Sequence, residues 1–266
     1  MRIAFIGGGT MGEAMVRCLL NKNAAMPENI VVSDTSQLRR ELLSKEYGVN
    51  TLADSGEAIK NADLIVLSVK PQDLPRVMEE IKKPSPQQAV LSIVAGASLS
   101  SLCRGLSHSS VIRAMPNMPA QIGQGLTVWA TTTEVSQKQK KMAQSLLGSL
   151  GEEIYVTDEK YIDMATALSG SGPAYVFLFI EVLVDAGVHI GLPREIAQNL
   201  VIKTLLGSTL TVQKTGKHPA ELRNMVTSPG GTTTEALLRL EKGGLRSLFL
   251  DAVTAAYNKA ISISNL

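Results

Sequence analysis

Two short stretches of this chain combine residue types and spacings that suit anion binding. The first runs Ile3-Ala4-Phe5-Ile6-Gly7-Gly8-Gly9-Thr10-Met11-Gly12, an apolar run entering a turn with glycine at positions 7, 9 and 12. Between a strand and a helix, this spacing is the G-x-G-x-x-G fingerprint of dinucleotide binding. Gly7 permits the tight turn, Gly9 lets backbone approach a pyrophosphate, and Gly12 lets helix and strand pack closely. The helix start then offers unpaired N–H groups and partial positive charge to the phosphates. Ile30-Val31-Val32-Ser33-Asp34 follows at the spacing of the second strand of such a unit. Asp34 is the residue type that bonds an adenosine ribose 2′-OH and repels a 2′-phosphate, which points to NADH. Ser33, Thr35, Ser36 and Arg39 suit the extra phosphate of NADPH if Asp34 turns aside, and Ser55 is in position to reach the ribose. Both cofactors stay open.

The second stretch is Met225-Val226-Thr227-Ser228-Pro229-Gly230-Gly231-Thr232-Thr233-Thr234-Glu235-Ala236-Leu237-Leu238. Small residues lead into a helix with three threonine hydroxyls in its first turn. Free N–H groups, hydroxyl donors and the lack of bulky side chains describe a cradle for a carboxylate of amino-acid size. The same residues also describe an ordinary helix start, because Ser and Thr are good N-caps. The three histidines, His108, His189 and His218, lie outside both stretches.

The elements that must carry these turns change character along the chain. Up to about residue 156, β-rich runs at 3–6, 30–33, 64–69, 90–94, 111–114, 126–130 and 153–156 alternate with helical patterns such as Leu38 to Tyr47 and Leu74 to Ile81. That alternation predicts an α/β fold with a doubly wound parallel sheet covered on both faces. Leu64 to Leu67 and Val90 to Val94 are continuously apolar, as doubly buried strands should be. Beyond residue 157 strand signals stop, and apolar spacings of three and four dominate from Lys160 to Ile263. Ser169-Gly170-Ser171-Gly172-Pro173 precedes a helix that is apolar nearly all round from Ala174 to Val184, with Gly187 and then Gly191-Leu192-Pro193 marking its end. A helix with so little polar face must be covered, in part by another copy of the chain. The expected division is a dinucleotide-binding domain over 1–157 and a helical domain over 158–266.

At 266 residues the chain exceeds one modest core, which agrees with two domains. Its 26 basic and 24 acidic residues are dispersed, so neither nucleic acid nor an anionic membrane is an expected partner. Cys18 and Cys103 form no metal-ligand spacing or disulfide framework, so no metal is expected and a cytoplasmic location fits. The run Ala174 to Val184, interrupted by Glu181, is too short to span a bilayer.

Taken in order, Val69-Lys70-Pro71, Ala95-Gly96, Arg113-Ala114-Met115-Pro116-Asn117, Ser169 to Tyr175 and Thr227 to Thr233 resemble the signatures of pyrroline-5-carboxylate reductase over the whole chain. The resemblance implies a reductase that converts L-1-pyrroline-5-carboxylate to L-proline with NADPH or NADH, the last step of proline biosynthesis. It implies a Rossmann domain followed by a helical dimerisation domain, often within a larger ring of dimers. Cofactor contacts carry over to Ile6, Gly7, Gly8, Gly9, Thr10 and Met11, to Ser68, Val69, Lys70 and Pro71, and to Val94, Ala95 and Gly96. Substrate contacts carry over to Ser228, Gly230, Gly231, Thr232 and Thr233, with the Thr233 hydroxyl on the ring nitrogen as the catalytic donor, and to Glu159. The alternatives are a related imine or β-hydroxyacid reductase and a non-catalytic dinucleotide sensor. A β-hydroxyacid enzyme needs a lysine on the long helix after the boundary, and Ala174 to Val184 contains none.

Overall fold

A computed structural model describes residues 1–81 and 83–264. Among these, eight strands form one sheet: β1 (Ile3–Ile6), β2 (Ile30–Ser33), β3 (Asn50–Leu52), β4 (Leu64–Leu67), β5 (Ala89–Ser92), β6 (Val111–Met115), β7 (Gly125–Thr131) and β8 (Gly151–Tyr155). The helices are α1 (Thr10–Asn21), α2 (Gln37–Tyr47), α3 (Ser55–Ala58), α4 (Leu74–Glu80), α5 (Leu99–Leu106), α6 (Gln137–Ser149), α7 (Lys160–Ala165), α8 (Gly172–His189), α9 (Arg194–Thr215), α10 (Pro219–Met225), α11 (Thr232–Lys242) and α12 (Leu245–Ser264).

Strand order is β3-β2-β1-β4-β5-β6-β7-β8. The chain therefore reverses its direction of winding between β1 and β4, the place where a doubly wound sheet binds ligands. Alternating side chains of each strand feed two cores. Ile3, Phe5, Val32, Val66 and Leu91 pack with Met15 and Leu19 of α1 and Leu146 of α6 on one face. Ala4, Ile6, Ile65, Leu67 and Val90 pack with Val77 of α4 and Leu102 of α5 on the other. Strands buried on both faces have no position for a polar residue, which is why β1 and β4 read as unbroken apolar runs.

The sheet is parallel except for β6 and β7, which run antiparallel. The alternation of strands and helices predicts a parallel sheet, and this pair is its one departure among the described residues. The connection between β6 and β7 spans only Pro116 to Gln124, a 3₁₀ turn ended by Gly123 at φ +71°, too short for the crossover a parallel pair needs. The short strand β3 was also not expected. It sits at the sheet edge, where Asn50-Thr51-Leu52 needs no apolar run.

The chain divides into two compact units, one comprising Met1–Ser171 with the C-terminal residues from Ala256, the other Gly172–Ala255. In the second, Gly187 lies in the last turn of α8. A Cβ there would stand 2.9 Å from the Ala197 Cβ, so the glycine lets α8 and α9 approach closely. Much of the apolar surface of α8 and α9 stays open, with Phe177 at 51%, Leu178 at 60% and Leu200 at 53% exposure. The helical run Lys160–His189 is long and apolar enough to cross a membrane by length and composition alone. The sequence reading measured only the stretch inside it.

Candidate active site

The ends of β1, β2 and β4 are drawn together by hydrogen bonds that the glycine turn makes possible. Gly7 N–H donates to the Ser33 carbonyl at 2.8 Å, and Ser68 N–H donates to the Ile6 carbonyl at 2.9 Å. The Ser68 hydroxyl donates to the Gly7 carbonyl at 2.8 Å. Gly7 has φ +105°, and a Cβ there would lie 2.7 Å from the Ser68 carbonyl oxygen, so no other residue fits without moving β4. A Cβ on Gly12 would strike the Gly7 carbonyl oxygen, whereas one on Gly9 would meet nothing within 4 Å. Gly9 thus faces free space at the start of α1, whose N-cap carries no side-chain hydrogen bond. A dinucleotide's pyrophosphate fits such a cradle of open backbone at a helix N-terminus.

Beside the turn lies an open cleft of about 210 Å³. Of the residues read as cofactor contacts, Ile6, Gly7, Gly9, Asp34, Ser55, Ser68, Val69 and Lys70 line it. Gly8, Thr10, Met11, Pro71, Val94, Ala95 and Gly96 do not line this cleft. Thr10 and Met11 open α1, Pro71 opens a 3₁₀ turn after Lys70, and Val94 to Gly96 follow β5. Asp73, Arg76, Val77 and Glu80 also face the cleft. Arg76, Val77 and Glu80 come from α4 and Asp73 stands at its N-cap, where the sequence signal is only that of an amphipathic helix.

Asp34 does not turn aside. Its carboxylate accepts the Gly8 N–H at 2.8 Å and the Ser36 N–H at 2.9 Å. Arg39, read as a receiver for a 2′-phosphate, points elsewhere. Its Nε donates to the Gly8 carbonyl at 3.0 Å, and its Nη2 meets Glu13 Oε2 at 2.7 Å. Ser33 and Ser55 hydroxyls lie 3.2 Å apart and are buried. Tyr47 completes the brace by donating to Glu13 Oε1 at 2.8 Å. Burial alone would push the Glu13 carboxyl up, but the bonds from Arg39 and Tyr47 with the nearby positive charge hold it below the ordinary range. Burial, together with the bond to Glu13, pushes the Tyr47 hydroxyl up. This Glu13–Arg39–Tyr47 brace was not read from the sequence; Glu13 in the first turn of α1 was its only local sign.

Glu159 stands at the start of α7 and is no solvated helix-start acid. Its Oε1 accepts from Arg113 Nη1 at 2.7 Å and from the Leu99 N–H at 2.8 Å. The signature residues of β6 and of the segment before α8 also meet. Asn117 Nδ2 donates to the Ser169 hydroxyl at 3.1 Å, beside a π-helical turn over Thr166–Gly170.

In the second unit, the turn before α11 is built by its own backbone. Gly230 has φ +68°, and Gly231 N–H donates to the Ser228 carbonyl at 3.0 Å. Gly231 is the N-cap and provides no side-chain bond. The Thr234 hydroxyl donates to the Ser228 carbonyl at 2.6 Å. The hydroxyls of Thr232 and Thr233 carry no such bond among the described residues, so the ordinary capped start does not describe this turn. Its exposed N–H groups and two unspent hydroxyls suit a carboxylate. His108 is buried with Nε2 2.9 Å from the Gln88 carbonyl, and His218 Nδ1 accepts the Ala220 N–H at 3.2 Å as a helix cap. Among the described residues there is no cluster of three His, Cys, Asp or Glu able to hold a metal.

Comparison with known proteins covers the whole chain. A family described as pyrroline-5-carboxylate reductase dimerisation matches residues 159–263, and one described as NADP oxidoreductase coenzyme F420-dependent matches residues 2–96. A pyrroline-5-carboxylate reductase of Synechocystis is 41% identical, covering 98% of this chain and 97% of that protein. The structure of a pyrroline-5-carboxylate reductase from Coxiella burnetii superposes with a TM-score of 0.90 at 37% identity, covering 99% of this chain and 98% of the other. That of Plasmodium falciparum pyrroline carboxylate reductase, with NADP bound, has a TM-score of 0.91 at 33% identity over 99% and 98% of the two chains.

Proposed function

The chain belongs to the pyrroline-5-carboxylate reductase family, and on that premise we propose which of its residues hold the substrate and the cofactor. Its reaction reduces L-1-pyrroline-5-carboxylate to L-proline by hydride transfer from NAD(P)H. The observation that carries the site assignment is the first turn of α11, where Gly231 provides no side-chain cap and, among the described residues, the Thr232 and Thr233 hydroxyls make no hydrogen bond. Ser228, Gly230, Gly231 and Thr232 hold the substrate carboxylate against the helix N-terminus. Thr233 directs its hydroxyl to the ring nitrogen. Glu159 belongs to the same substrate assignment, fixed in place by Arg113.

Ile6 to Met11 hold the pyrophosphate, Asp34 and Ser55 the adenosine ribose, and Ser68 to Pro71 with Val94 to Gly96 the remainder of the cofactor. When bound, the nicotinamide supplies the hydride. The chain's own share is orientation and electrostatics. Addition of the hydride to the ring carbon turns C=N into C–N, and the nitrogen keeps the proton that made the imine a good acceptor. Thr233 orients that nitrogen and stabilises its changing charge, a task a hydroxyl performs without ionising. Fixed placement of two reactants is worth about 7–11 kcal/mol in favourable cases, so no strong acid is required.

Residues 1–157 act as the dinucleotide-binding domain and 158–266 as the substrate and dimerisation domain. The family match that opens at residue 159 supports that boundary. The open apolar faces of α8 and α9 are read as the surface of a homodimer, with a ring of dimers as its extension. The cytoplasm is its place, which two unpaired cysteines support.

The test is turnover at 340 nm with pyrroline-5-carboxylate in Thr233→Ala and Thr233→Ser. We expect the alanine variant to lose tens-fold or more, since a positioned donor contributes on the order of a few kcal/mol, and the serine variant to recover most of it. An unchanged alanine variant removes Thr233 from the reaction. Cofactor binding without turnover in the wild type would favour a sensor.

A further inference from the structure

The turn after β5 is gripped by groups of which only Glu159 belongs to the substrate assignment. Gly96 has φ +78°; a Cβ on it would run into the Ile263 side chain and lie 3.0 Å from the Ile263 carbonyl oxygen. The last turn of α12 therefore rests directly on this turn. The next residue, Ser264, donates its hydroxyl to Asp163 Oδ1 at 3.0 Å and accepts from Arg113 Nη2 at 3.4 Å. Arg113, only 3% exposed, reaches Asp163 Oδ1 at 2.6 Å and Glu159 Oε1 at 2.7 Å. Glu159 closes the circuit by accepting the N–H of Leu99, the first residue of α5. The Val94–Leu99 segment is thus held at Gly96 by Ile263 and at Leu99 by Glu159, with Arg113 tying the two together.

A buried arginine shared between two carboxylates adds little net stability, because desolvation offsets most of the attraction. Its value lies in fixing geometry. The sheet topology says for what: in a doubly wound sheet of this strand order, the adenosine half of a bound dinucleotide would lie over β1 and β2, where Asp34 stands, and the other half past the reversal, over β4 and β5.

We infer that Ile263 and Ser264 are positioning residues for the nicotinamide half of the cofactor. The end of α12 sets the Val94–Gly96 turn directly through Gly96 and indirectly through the Arg113–Glu159–Asp163 cluster. This rests on the reading of that turn as a cofactor contact. Neither side chain needs to touch the cofactor to act.

The experiment compares full-length wild type with Ile263→Ala, Ser264→Ala and the conservative Ser264→Thr. Dissociation constants are measured for NADH, for NADPH and for ADP-ribose, which lacks the nicotinamide, alongside kcat and KM. We expect the two alanine variants to bind both dinucleotides about three- to tenfold more weakly, the size of one lost hydrogen bond or contact. ADP-ribose affinity should stay within about twofold of wild type, the cofactor KM should rise more than kcat falls, and Ser264→Thr should restore binding. Unchanged dinucleotide affinity overturns the inference, as does an equal loss for ADP-ribose, which a merely loosened sheet would cause. A wild type in which the nicotinamide half adds no affinity over ADP-ribose would instead remove the Val94–Gly96 turn from the cofactor site altogether.

Discussion

Replacing Asp34 by Asn tests how this enzyme tells NADH from NADPH. The carboxylate is fixed in the cleft wall by the Gly8 and Ser36 N–H groups, at 2.8 and 2.9 Å. The nearby guanidinium groups are committed elsewhere, Arg39 to Gly8 and Glu13 and Arg40 to the carbonyls of Asp34 and Thr35. A 2′-phosphate beside Asp34 would meet its negative charge, while the cleft's own cations are Arg76, paired with Glu80, and Lys70, which follows β4. For unit charges separated by about 5 Å, the repulsion runs from about 0.8 kcal/mol in water to about 3 kcal/mol at an effective dielectric of about 20. An open cleft at physiological salt lies toward the lower end, so removing the charge should move the NADPH-to-NADH ratio of kcat/KM by about tenfold toward NADPH. NADH should lose part of its own affinity, because the amide is a weaker partner for the ribose 2′-OH. The amide oxygen can serve only one of the two N–H groups well, so a loss of about 1–2 kcal/mol in stability should accompany the shift. Initial rates with each cofactor at saturating pyrroline-5-carboxylate, in wild type and variant, give the ratio directly. A ratio unchanged within about twofold would refute the reasoning and place the carboxylate away from the ribose.

Three further outcomes follow from the same geometry. Gly7→Ala places a Cβ 2.7 Å from the Ser68 carbonyl oxygen at φ +105°; it should cost more than about 2 kcal/mol in urea unfolding and weaken cofactor binding, and a neutral result would mean β4 yields freely. Glu13, whose carboxyl binds its proton less tightly folded than unfolded, stabilises the fold fully above the ordinary glutamate value, and that stability is lost as pH falls through the depressed one. Urea melts of wild type and Glu13→Gln should therefore differ at neutral pH, with a gap that shrinks progressively as pH falls below the ordinary glutamate range; a gap of constant size throughout the acid range would mean the brace is not electrostatic. Leu178→Asp puts a charge on the open face of α8 and should weaken the proposed self-association in sedimentation velocity, whereas an unaltered sedimentation profile would place any interface elsewhere.

The glycine turn was legible because its requirements are local. Gly7, Gly9 and Gly12 answer to one turn, one open approach and one helix–strand contact, and the structure shows each of these. The buried strands were legible for a similar reason, since Leu64–Leu67 has both faces in a core and no place for a polar side chain. β3 escaped notice because an edge strand is held by backbone pairing to β2, which leaves little mark on Asn50-Thr51-Leu52. Gly187 lies in the last turn of α8, as its reading as an end marker expects, but spacing alone does not show that Ala197 of another helix needs the room.

The sequence by itself determined where the two glycine turns lie, which strands are buried and that the chain beyond residue 157 is helical, all of which follow from neighbours within a few residues. Only the tertiary structure decided the direction of β7, the commitment of Arg39 to Glu13, and the gathering of Arg113, Glu159, Asp163 and Ser264 around one turn. Those partners lie 26 to 151 residues apart along the chain. Long charged side chains reach whatever the fold brings near, and no local pattern records which partner that will be.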